Sequence, residues 1–330
     1  MRTLPQVSRL QYASYAALVG IKRLLHLPRT GHRRFFVLQL IRALNANRIG
    51  AGCHITATGK LDGVGAQAQA KMSAMCLAHA YGLRYVHSPF VSLAHAECPM
   101  PQWVSAWEDF FDFGAGELRI DQVDLPRLDI ETFVSKPSLW DKPCVLVARH
   151  YHTFCDLQPD AYCGIIPRLR EKIRPQLRSG TPPAGVNVCV HVRRGDVAPG
   201  DAKTSHRYTG DHNILNTMRL LQEVLSGLGR PGRIRVFSQG DPARFACFVD
   251  LGCDLCLNQP AMDTFRELLA ADVLVMARSA FSYSAALLGN GVALYDPQDH
   301  APLSKWIAID RRSGAFDAER FAARLNAACD

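Results

Sequence analysis

The sequence predicts an α/β protein that consists of two domains with parallel, doubly wound sheets. With 330 residues the chain is too long for one small core and has the length of two ordinary domains. Short apolar runs alternate with segments whose apolar residues recur at helical spacing. Polar residues directly follow several of the apolar runs, as they do at the carboxyl edge of such a sheet.

The composition is that of a globular protein, with 48% hydrophobic and 21% charged residues. The net charge of +8 belongs to residues 1–50, which hold nine Lys or Arg and no Asp or Glu. The other 280 residues carry 29 basic and 30 acidic side chains, a balance of −1. Because no basic surplus remains there to neutralise phosphates, the sequence disfavours nucleic acid as a partner.

The eleven cysteines are scattered and odd in number, and several lie in apolar runs. They therefore indicate reduced, buried thiols and a cytoplasmic protein. Cys253 and Cys256 form a single CxxC with no second pair and no His at ligand spacing, so no structural zinc is predicted.

Residues 1–50 form a basic N-terminal extension to the two domains. The longest uncharged run, Leu10 to Ile21, has twelve residues and is too short to cross a bilayer. No small-residue cleavage site follows a clean apolar core, so a signal peptide is not predicted. Three interpretations remain: an amphipathic segment on an anionic membrane surface, an organelle transit peptide, or a helix packed on the first domain with a solvated basic face.

We place the first domain at residues 51–183. A glycine-rich turn at 58–67 precedes a helix predicted for 68–81, which Gly82 ends. Prolines and aromatic residues between 89 and 143 predict loops with local core packing. The other predictions here are strands at 83–87 and 145–148, a helix at 165–177 and a linker at 179–185.

The second domain, residues 184–330, alternates more regularly between strands and helices. Its first strand, predicted for 186–192, is mostly β-branched or apolar. The resulting βαβ repetition predicts a parallel sheet whose strands share one crevice at their carboxyl ends. The further predictions are helices at 214–225, 242–251, 262–270 and 284–288, and strands at 233–237, 272–276 and 291–296.

Chemically suggestive groups follow three of these strands. Arginine offers a planar fork of donors suited to phosphate oxygens, and serines before a helix can hold a phosphate together with the free helix N–H groups. Each group also has a structural interpretation, because Arg beside Asp forms surface ion pairs and Ser is a common N-cap. The groups are His191, Arg193 and Arg194 after the first strand, Ser238, Gln239 and Asp241 after the second, and Ser279, Phe281 and Ser282 after the third.

These residues also carry a resemblance to a known family. The motif from His191 to Asp196 (HVRRGD) and the segment from Asp272 to Leu288, with its Ser-Ala-Phe-Ser, resemble the GDP-fucose-dependent fucosyltransferases. The turn from Gly63 to Gln67 (GVGAQ) is similar to a third motif of that family, in which Asn often stands where this chain has Ala66. The resemblance implies a GT-B fold, two Rossmann-like domains facing across a cleft, with the donor nucleotide on the second. It also implies inversion at the fucose carbon, GDP-fucose as donor substrate, and neither metal nor cofactor.

Residue by residue, the resemblance implies that Arg193 holds the donor β-phosphate and stabilises the departing GDP. Asp196 would orient the arginines by ion pairing, and Asp62 would accept the proton of the acceptor hydroxyl. Asp263 and Asp272 either approach the guanosine or cap helices. The remaining implied donor-site residues are His191, Arg194, Gly63, Gly65, Gln67, Ser279, Phe281 and Ser282.

Two other functions fit the same residues. One is a GT-B transferase that uses a different nucleotide sugar, and the other is a non-catalytic nucleotide-binding protein of a membrane surface. For a transferase, the acceptor could be a glycan, a peptide or a lipid-linked sugar. The sequence therefore predicts a nucleotide-sugar site and leaves the acceptor open.

Overall fold

The computed structural model describes residues 32–149, 152–177, 185–202 and 204–327. The chain forms two compact units, Met1–Lys172 and Ile173–Asp330. Each unit contains one parallel sheet with helices, so the predicted α/β class with two Rossmann-like units is confirmed. The predicted boundary between residues 183 and 184 lies outside the described residues.

The first unit contains a five-stranded sheet in the order β3-β2-β1-β5-β4. All of its strand pairs are parallel, which agrees with the connections through helices. Its elements are α1 (His32–Asn45), β1 (Cys53–Ala57), α2 (Val64–Tyr81), β2 (Arg84–His87), α3 (Met100–Phe111), β3 (Leu118–Arg119), β4 (Arg127–Asp129), α4 (Ile130–Val134), β5 (Cys144–Ala148), α5 (Thr153–Leu157) and α6 (Ile166–Ile173).

Helix α1 belongs to the basic segment and is part of the first unit. It packs against α4 and α5 and buries Phe36, Leu40 and Ile41, while Arg34 and Arg42 stay exposed. This part of the segment therefore agrees with the interpretation of a packed helix with a solvated basic face. Residues 1–31 lie outside the described part, so the structure does not bear on the two targeting interpretations there.

Helix α3 occupies part of the region for which loops were predicted, and that prediction was wrong for residues 100–111. Its buried face carries Trp103, Trp107, Phe110 and Phe111. The rings of Trp107 and Phe111 stack with their centres 5.7 Å apart. The predicted core role of these aromatic residues is confirmed, because helical spacing places all four on the face that packs inward.

A buried lysine fastens the loop that follows β2. Lys71, on α2, is 3% exposed; its Nζ donates to the carbonyl of Ser88 and lies 4.6 Å from the centre of the Phe90 ring. Glu108 accepts hydrogen bonds from the main-chain N–H of Phe90 and from His87 Nε2 at 3.0 Å. Burial lowers the pKa of Lys71 to about 8, although the charge of Glu108 acts in the opposite direction.

The second unit contains a six-stranded parallel sheet in the order β11-β10-β9-β6-β7-β8. Read from β8, this is the 3-2-1-4-5-6 order of a Rossmann sheet, whose direction changes between β6 and β9. Its elements are β6 (Val186–His191), α7 (Asp211–Gly227), β7 (Gly232–Ser238), α8 (Ala246–Asp250), β8 (Asp254–Leu257), α9 (Ala261–Leu269), β9 (Val273–Val275), α10 (Ala280–Leu288), β10 (Val292–Tyr295), β11 (Ile307–Ala308) and α11 (Ala318–Ala327).

Every strand and helix predicted for the second domain is present within a few residues, except that 242–251 divides into a 3₁₀ turn (Pro242–Phe245) and α8. Elements β8, β11 and α11 were not predicted. The core of this unit includes Val188, Val190, Val236 and Val273, all fully buried. No helix among the described residues is long and apolar enough to span a membrane.

We predict that Lys71 makes the stability of the protein depend on pH. Between pH 8 and about 10.5 the unfolded chain keeps a proton that the folded chain has released, so stability increases with pH over this interval. Relative to Lys71→Met, the wild-type free energy of unfolding should increase by roughly 3 kcal/mol across the interval. Urea denaturation at a series of pH values measures this, with Lys142→Met at an exposed lysine as control. Parallel profiles for wild type and Lys71→Met would contradict the prediction.

Candidate functional site

The candidate site begins where β6 ends. Val190 and Val192 are buried on the strand and just after it, and a charged loop, residues 193–196, follows at the carboxyl edge of the sheet. Gly195 has φ +82°, and a Cβ there would lie 2.8 Å from Oε1 of Gln239. The left-handed backbone conformation therefore favours glycine in this loop, whereas the exposed Gln239 side chain is flexible enough to move away from a Cβ.

Arg193 is held by the carboxylate three residues later. Its Nε donates to Asp196 Oδ1 at 3.2 Å and its Nη2 donates to Asp196 Oδ2 at 2.7 Å. The Arg193 side chain is 18% exposed. A guanidinium has five N–H groups, so these two bonds leave three without a partner among the described residues. Asp196 therefore orients Arg193 while part of its donor set stays available.

Arg194 has a different role, because its guanidinium is occupied by the chain itself. Its Nη1 donates to the carbonyl of Arg193 at 2.8 Å, and its Nη2 donates to the carbonyl of Thr209 at 3.0 Å and to Asp211. Its guanidinium carbon lies 4.3 Å from the centre of the Tyr208 ring. The expectation that Asp196 orients both arginines was wrong for Arg194, whose carboxylate partner is Asp211.

Arg278 also anchors the segment of residues 206–211, although sequence reasoning did not identify it as a site residue. Arg278 follows β9, and its Nε donates to Asp296 Oδ1 at 3.0 Å. Its Nη1 donates to the carbonyls of His206 and Tyr208 at 3.3 and 3.2 Å, and Thr209 Oγ1 donates to Asp296. The available signal was position, because Arg278 lies two residues after the strand predicted for 272–276 and Asp296 is the last residue of the strand predicted for 291–296. Residues 206–211 are thus attached to the sheet edge from two sides.

These side chains surround a pocket of about 490 Å³, its open mouth included, at the carboxyl ends of β6 and β9. It lies at the reversal of strand order, where Rossmann sheets bind their ligands. With Asp196 and Asp211, which pair with lining arginines, the site contains five positive and four negative side chains. The charged residues that line it are Arg193, Arg194, Arg207, Arg278, Arg311, Asp296 and Asp310.

His191 lies at the end of β6, partly buried, with its ring centre 5.8 Å from that of Phe281. Burial lowers the pKa of His191 to about 3, and the charge of Arg193 adds to this while Asp196 opposes it. The imidazole is therefore neutral at physiological pH. Its Nδ1 is buried and has no hydrogen-bond partner among the described residues.

The two serines of the Ser-Ala-Phe-Ser segment serve the turn into α10. Ser279 is the N-cap, and its Oγ accepts a hydrogen bond from the N–H of Phe281 at 3.2 Å. Ser282 is fully buried, and its Oγ donates within the turn to the carbonyl of Ala277 at 3.2 Å. The Ser282 hydroxyl therefore donates its proton to the backbone. Ser279 uses only its oxygen in the capping bond, so its hydroxyl proton is not used by that bond.

The other predicted residues belong to the first unit, where the glycine-rich segment forms the start of α2. The helix begins at Val64, four residues before the prediction; Gly63 is its N-cap and Gly65 lies buried inside it. Gln67 is buried, and its amide nitrogen donates to the carbonyls of Asp62 and Ser92, both at 2.7 Å. Gln67 therefore connects the loop that contains Asp62 to the loop that contains Ser92, because main-chain carbonyls accept both of its amide hydrogens.

Asp263 and Asp272 have structural partners. Asp263 lies in the first turn of α9 and accepts a hydrogen bond from Arg266 Nη1 at 2.9 Å, and the N-cap position itself is occupied by Pro260. Asp272 precedes β9, at the amino end of the sheet, and accepts from the N–H of Asn187 at 2.8 Å. No group of three or more His, Cys, Asp or Glu side chains that could hold a metal occurs in the described ranges.

We predict that Asp296→Asn strongly destabilises the second unit. The Arg278 and Asp296 side chains are 13% and 7% exposed, and removing one partner of a buried pair costs about 3–5 kcal/mol. The control is Asp254→Asn, because Asp254 pairs at 2.6 Å with Arg233 at the surface, where loss of a pair costs about 1 kcal/mol or less. Urea denaturation of both variants gives the comparison, and equal losses would contradict the prediction.

Comparison with known proteins gives likenesses of structure only. No protein-family model and no curated protein matches this chain. It is similar to the fucosyltransferase NodZ from Bradyrhizobium, at 12% identity over 72% of this chain and 94% of NodZ, with a TM-score of 0.40. An Arabidopsis thaliana FUT1 mutant in complex with GDP aligns at 15% identity over 83% of this chain and 76% of FUT1, with a TM-score of 0.39.

The E. coli heptosyltransferase WaaC with ADP-2-deoxy-2-fluoro heptose aligns at 13% identity over 83% of this chain and 97% of WaaC, with a TM-score of 0.39. The structures to which this chain is similar thus include fucosyltransferases, the family that its motifs resemble, and a transferase of another sugar.

Proposed function

We propose that this chain is an inverting glycosyltransferase that moves fucose from GDP-fucose to a glycan hydroxyl without a metal ion, and that Arg193 stabilises the departing GDP. The support for a transferase is the site in the second unit. The support for fucose is the resemblance of the motifs at 191–196 and 272–288 to fucosyltransferases.

The main support for the proposal is the position of Arg193, which lies where the strand order of the second sheet reverses. The pair with Asp196 fixes the guanidinium by two bonds, and the unused N–H groups belong to a side chain that lines the pocket. Rossmann sheets bind nucleotides at this position, and an arginine fork matches phosphate oxygens. A nucleoside diphosphate is therefore the ligand class that the site fits best.

Arg193 would act on the charge that develops as the donor breaks. In the proposed reaction the acceptor oxygen forms a bond to the anomeric carbon, the bond from that carbon to the β-phosphate oxygen breaks, and the electron pair leaves with GDP. The guanidinium offsets the negative charge on that phosphate oxygen, the role a metal plays in other transferases. The acceptor proton passes to a base, for which Asp62 is the candidate.

We predict that Arg193→Ala reduces transfer at least a hundredfold, because a preorganised donor to a developing anion typically contributes that much. The protein should stay folded, since the side chain is partly exposed and its partner Asp196 can be solvated. The measurement is GDP released from GDP-fucose with a mixed glycan acceptor pool. Arg233→Ala, at an arginine of the same unit that is 59% exposed, is the control. Full activity of Arg193→Ala would refute the assigned role.

Calorimetry with GDP, UDP and ADP separates this function from the two others. Binding of UDP or ADP in preference to GDP would indicate a transferase of another nucleotide sugar. Binding of GDP without transfer or donor hydrolysis would indicate a non-catalytic nucleotide-binding protein. Only GDP binding together with transfer from GDP-fucose agrees with the proposal.

We further propose that the protein is cytoplasmic and that the basic segment contacts an anionic membrane surface. The support is its charge, nine basic and no acidic residues within 1–50. A chain that starts at His32 keeps α1 and lacks five of the nine basic residues, those at 2, 9, 22, 23 and 29. It should bind phosphatidylserine vesicles more weakly than the full chain in a sedimentation assay. Equal binding of both chains would exclude a membrane role for residues 1–31.

A further inference from the structure

Five arginines line the pocket of the second unit, and two of them, Arg207 and Arg311, are paired differently from the rest. The other three, Arg193, Arg194 and Arg278, each form an ion pair with an aspartate and have side chains that are 13% to 18% exposed. Arg207 and Arg311 have no carboxylate partner in the described ranges, and both are exposed. The pocket thus has three paired arginines inside and two unpaired arginines, the rim arginines, at its mouth.

Arg207 keeps most of its guanidinium for a ligand. Its Nε donates to His206 Nε2 at 3.2 Å, and its other four N–H groups have no partner among the described residues. The backbone on both sides of Arg207 is fixed, because Nη1 of Arg278 donates to the carbonyls of His206 and Tyr208. Arg207 is therefore held at the pocket by its neighbours, while its own donors stay unused.

Arg311 is presented in a similar way by the loop that follows β11. Its Nη2 donates to the carbonyl of Pro297 at 3.0 Å, and four N–H groups stay without a partner in the part of the chain that the structure describes. Asn213 Nδ2, on α7, donates to the carbonyl of Arg311 at 2.7 Å. Gly314 has φ +76°, and a Cβ there would collide with the carbonyl oxygen of Asn213. Glycine thus lets the loop lie directly against α7, which fixes the position of Arg311.

The rim arginines lie around the end of β10, whereas Arg193 follows β6. Arg311 donates to the second residue after β10, and the neighbours of Arg207 are held by Arg278, whose partner is the first residue after β10. Strand β9 lies between β6 and β10, so the two strand ends are about 10 Å apart. An anion that contacts Arg193 and the rim arginines together needs charged groups at two places. A diphosphate has them, and a monophosphate does not.

The charges at the mouth of the pocket also favour an anion. Three aspartates pair with the three inner arginines, and the remaining carboxylate of the lining is Asp310. The Ser313 hydroxyl and the N–H groups of Ser313 and Arg312 donate to Asp310 Oδ1 and hold the pKa of Asp310 below its usual range. Asp310 is therefore ionised and engaged within its own loop. Two rim arginines against one carboxylate leave a net positive charge that attracts an anion.

We propose that Arg207 and Arg311 bind the phosphate that carries the nucleoside, so that separate arginines hold the two phosphates of the donor. The inference rests on the proposed function, which supplies the donor and the reaction at Arg193. Negative charge develops on the phosphate at Arg193 as the sugar leaves, whereas the phosphate at the rim arginines keeps its charge throughout. The rim arginines therefore stabilise the bound donor and the transition state equally, and they act on binding.

The test compares Arg207→Gln, Arg311→Gln and the double variant with Arg193→Ala. Arg312→Gln is the matched control for Arg311, because Arg312 is the next residue, is exposed and does not line the pocket. Arg219→Gln, at an exposed arginine of α7 outside the lining, is the control for Arg207. Calorimetry gives the affinity of each protein for GDP, GMP and inorganic pyrophosphate, and transfer from GDP-fucose gives kcat and KM.

The double variant should bind GDP, GMP and pyrophosphate each at least about tenfold more weakly, because a hydrogen bond to a charged group contributes that much. Arg193→Ala should weaken binding of GDP and pyrophosphate but leave GMP affinity within about twofold, since GMP lacks the phosphate that Arg193 holds. In transfer, the double variant should raise KM about tenfold and change kcat less than about threefold, whereas Arg193→Ala lowers kcat. Both control variants should match the wild type.

An unchanged GMP affinity in the double variant would overturn the inference, and so would a loss of kcat equal to that of Arg193→Ala. If the double variant does not fold, the single variants replace it, each with at least about a threefold loss of GMP affinity. If the wild type binds GDP but transfers no fucose, the proposed function fails, and the GMP measurements still decide this inference. If transfer depends on Arg193 and KM does not depend on the rim arginines, only this inference fails.

Discussion

The pairing of arginines with carboxylates at the carboxyl edge of the second sheet is the interaction on which the candidate site depends. Arg278 and Asp296 follow neighbouring strands and lie largely out of solvent. Neither charge would be tolerated there without the other, since an unpaired charge in such a position costs several kcal/mol. Arg278 donates to the carbonyls of His206 and Tyr208, and Asp296 accepts from Thr209. Residues 206–209 therefore lie against the sheet and form a wall of the pocket.

The consequence is a division of roles among the arginines. Arg194 and Arg278 hold the wall, whereas Arg193 keeps N–H groups for a ligand. Four carboxylates nearly balance the five arginines, so the suitability of the site for a diphosphate does not arise from net charge. It arises from which donors the chain leaves unused, and in a largely desolvated site such donors interact strongly with an anion.

Sequence patterns correctly predicted those segments whose local composition matches their burial in the structure. The run at 186–192 is apolar enough to be a buried strand in almost any context, and the structure contains it. Helix α2 starts earlier than predicted, because Gly63 and Gly65 are poor helix formers and suggested a turn. In the structure Gly63 is extended and is the N-cap, and Gly65 is buried inside the helix. Strand β8 has only four residues, none fully buried, and carries no local signal strong enough for prediction.

The sequence by itself determined two α/β units, a strand that delivers His191, Arg193 and Arg194 to a sheet edge, and Asp196 within reach of Arg193. Only the tertiary structure decided that Arg194 pairs with Asp211, that Arg278 pairs with Asp296, and that Arg311 donates to Pro297. The physical reason is strand order. Local pattern specifies that a segment is a strand, but which strand lies beside it depends on the packing of the whole sheet, and side chains at strand ends acquire their partners from that order.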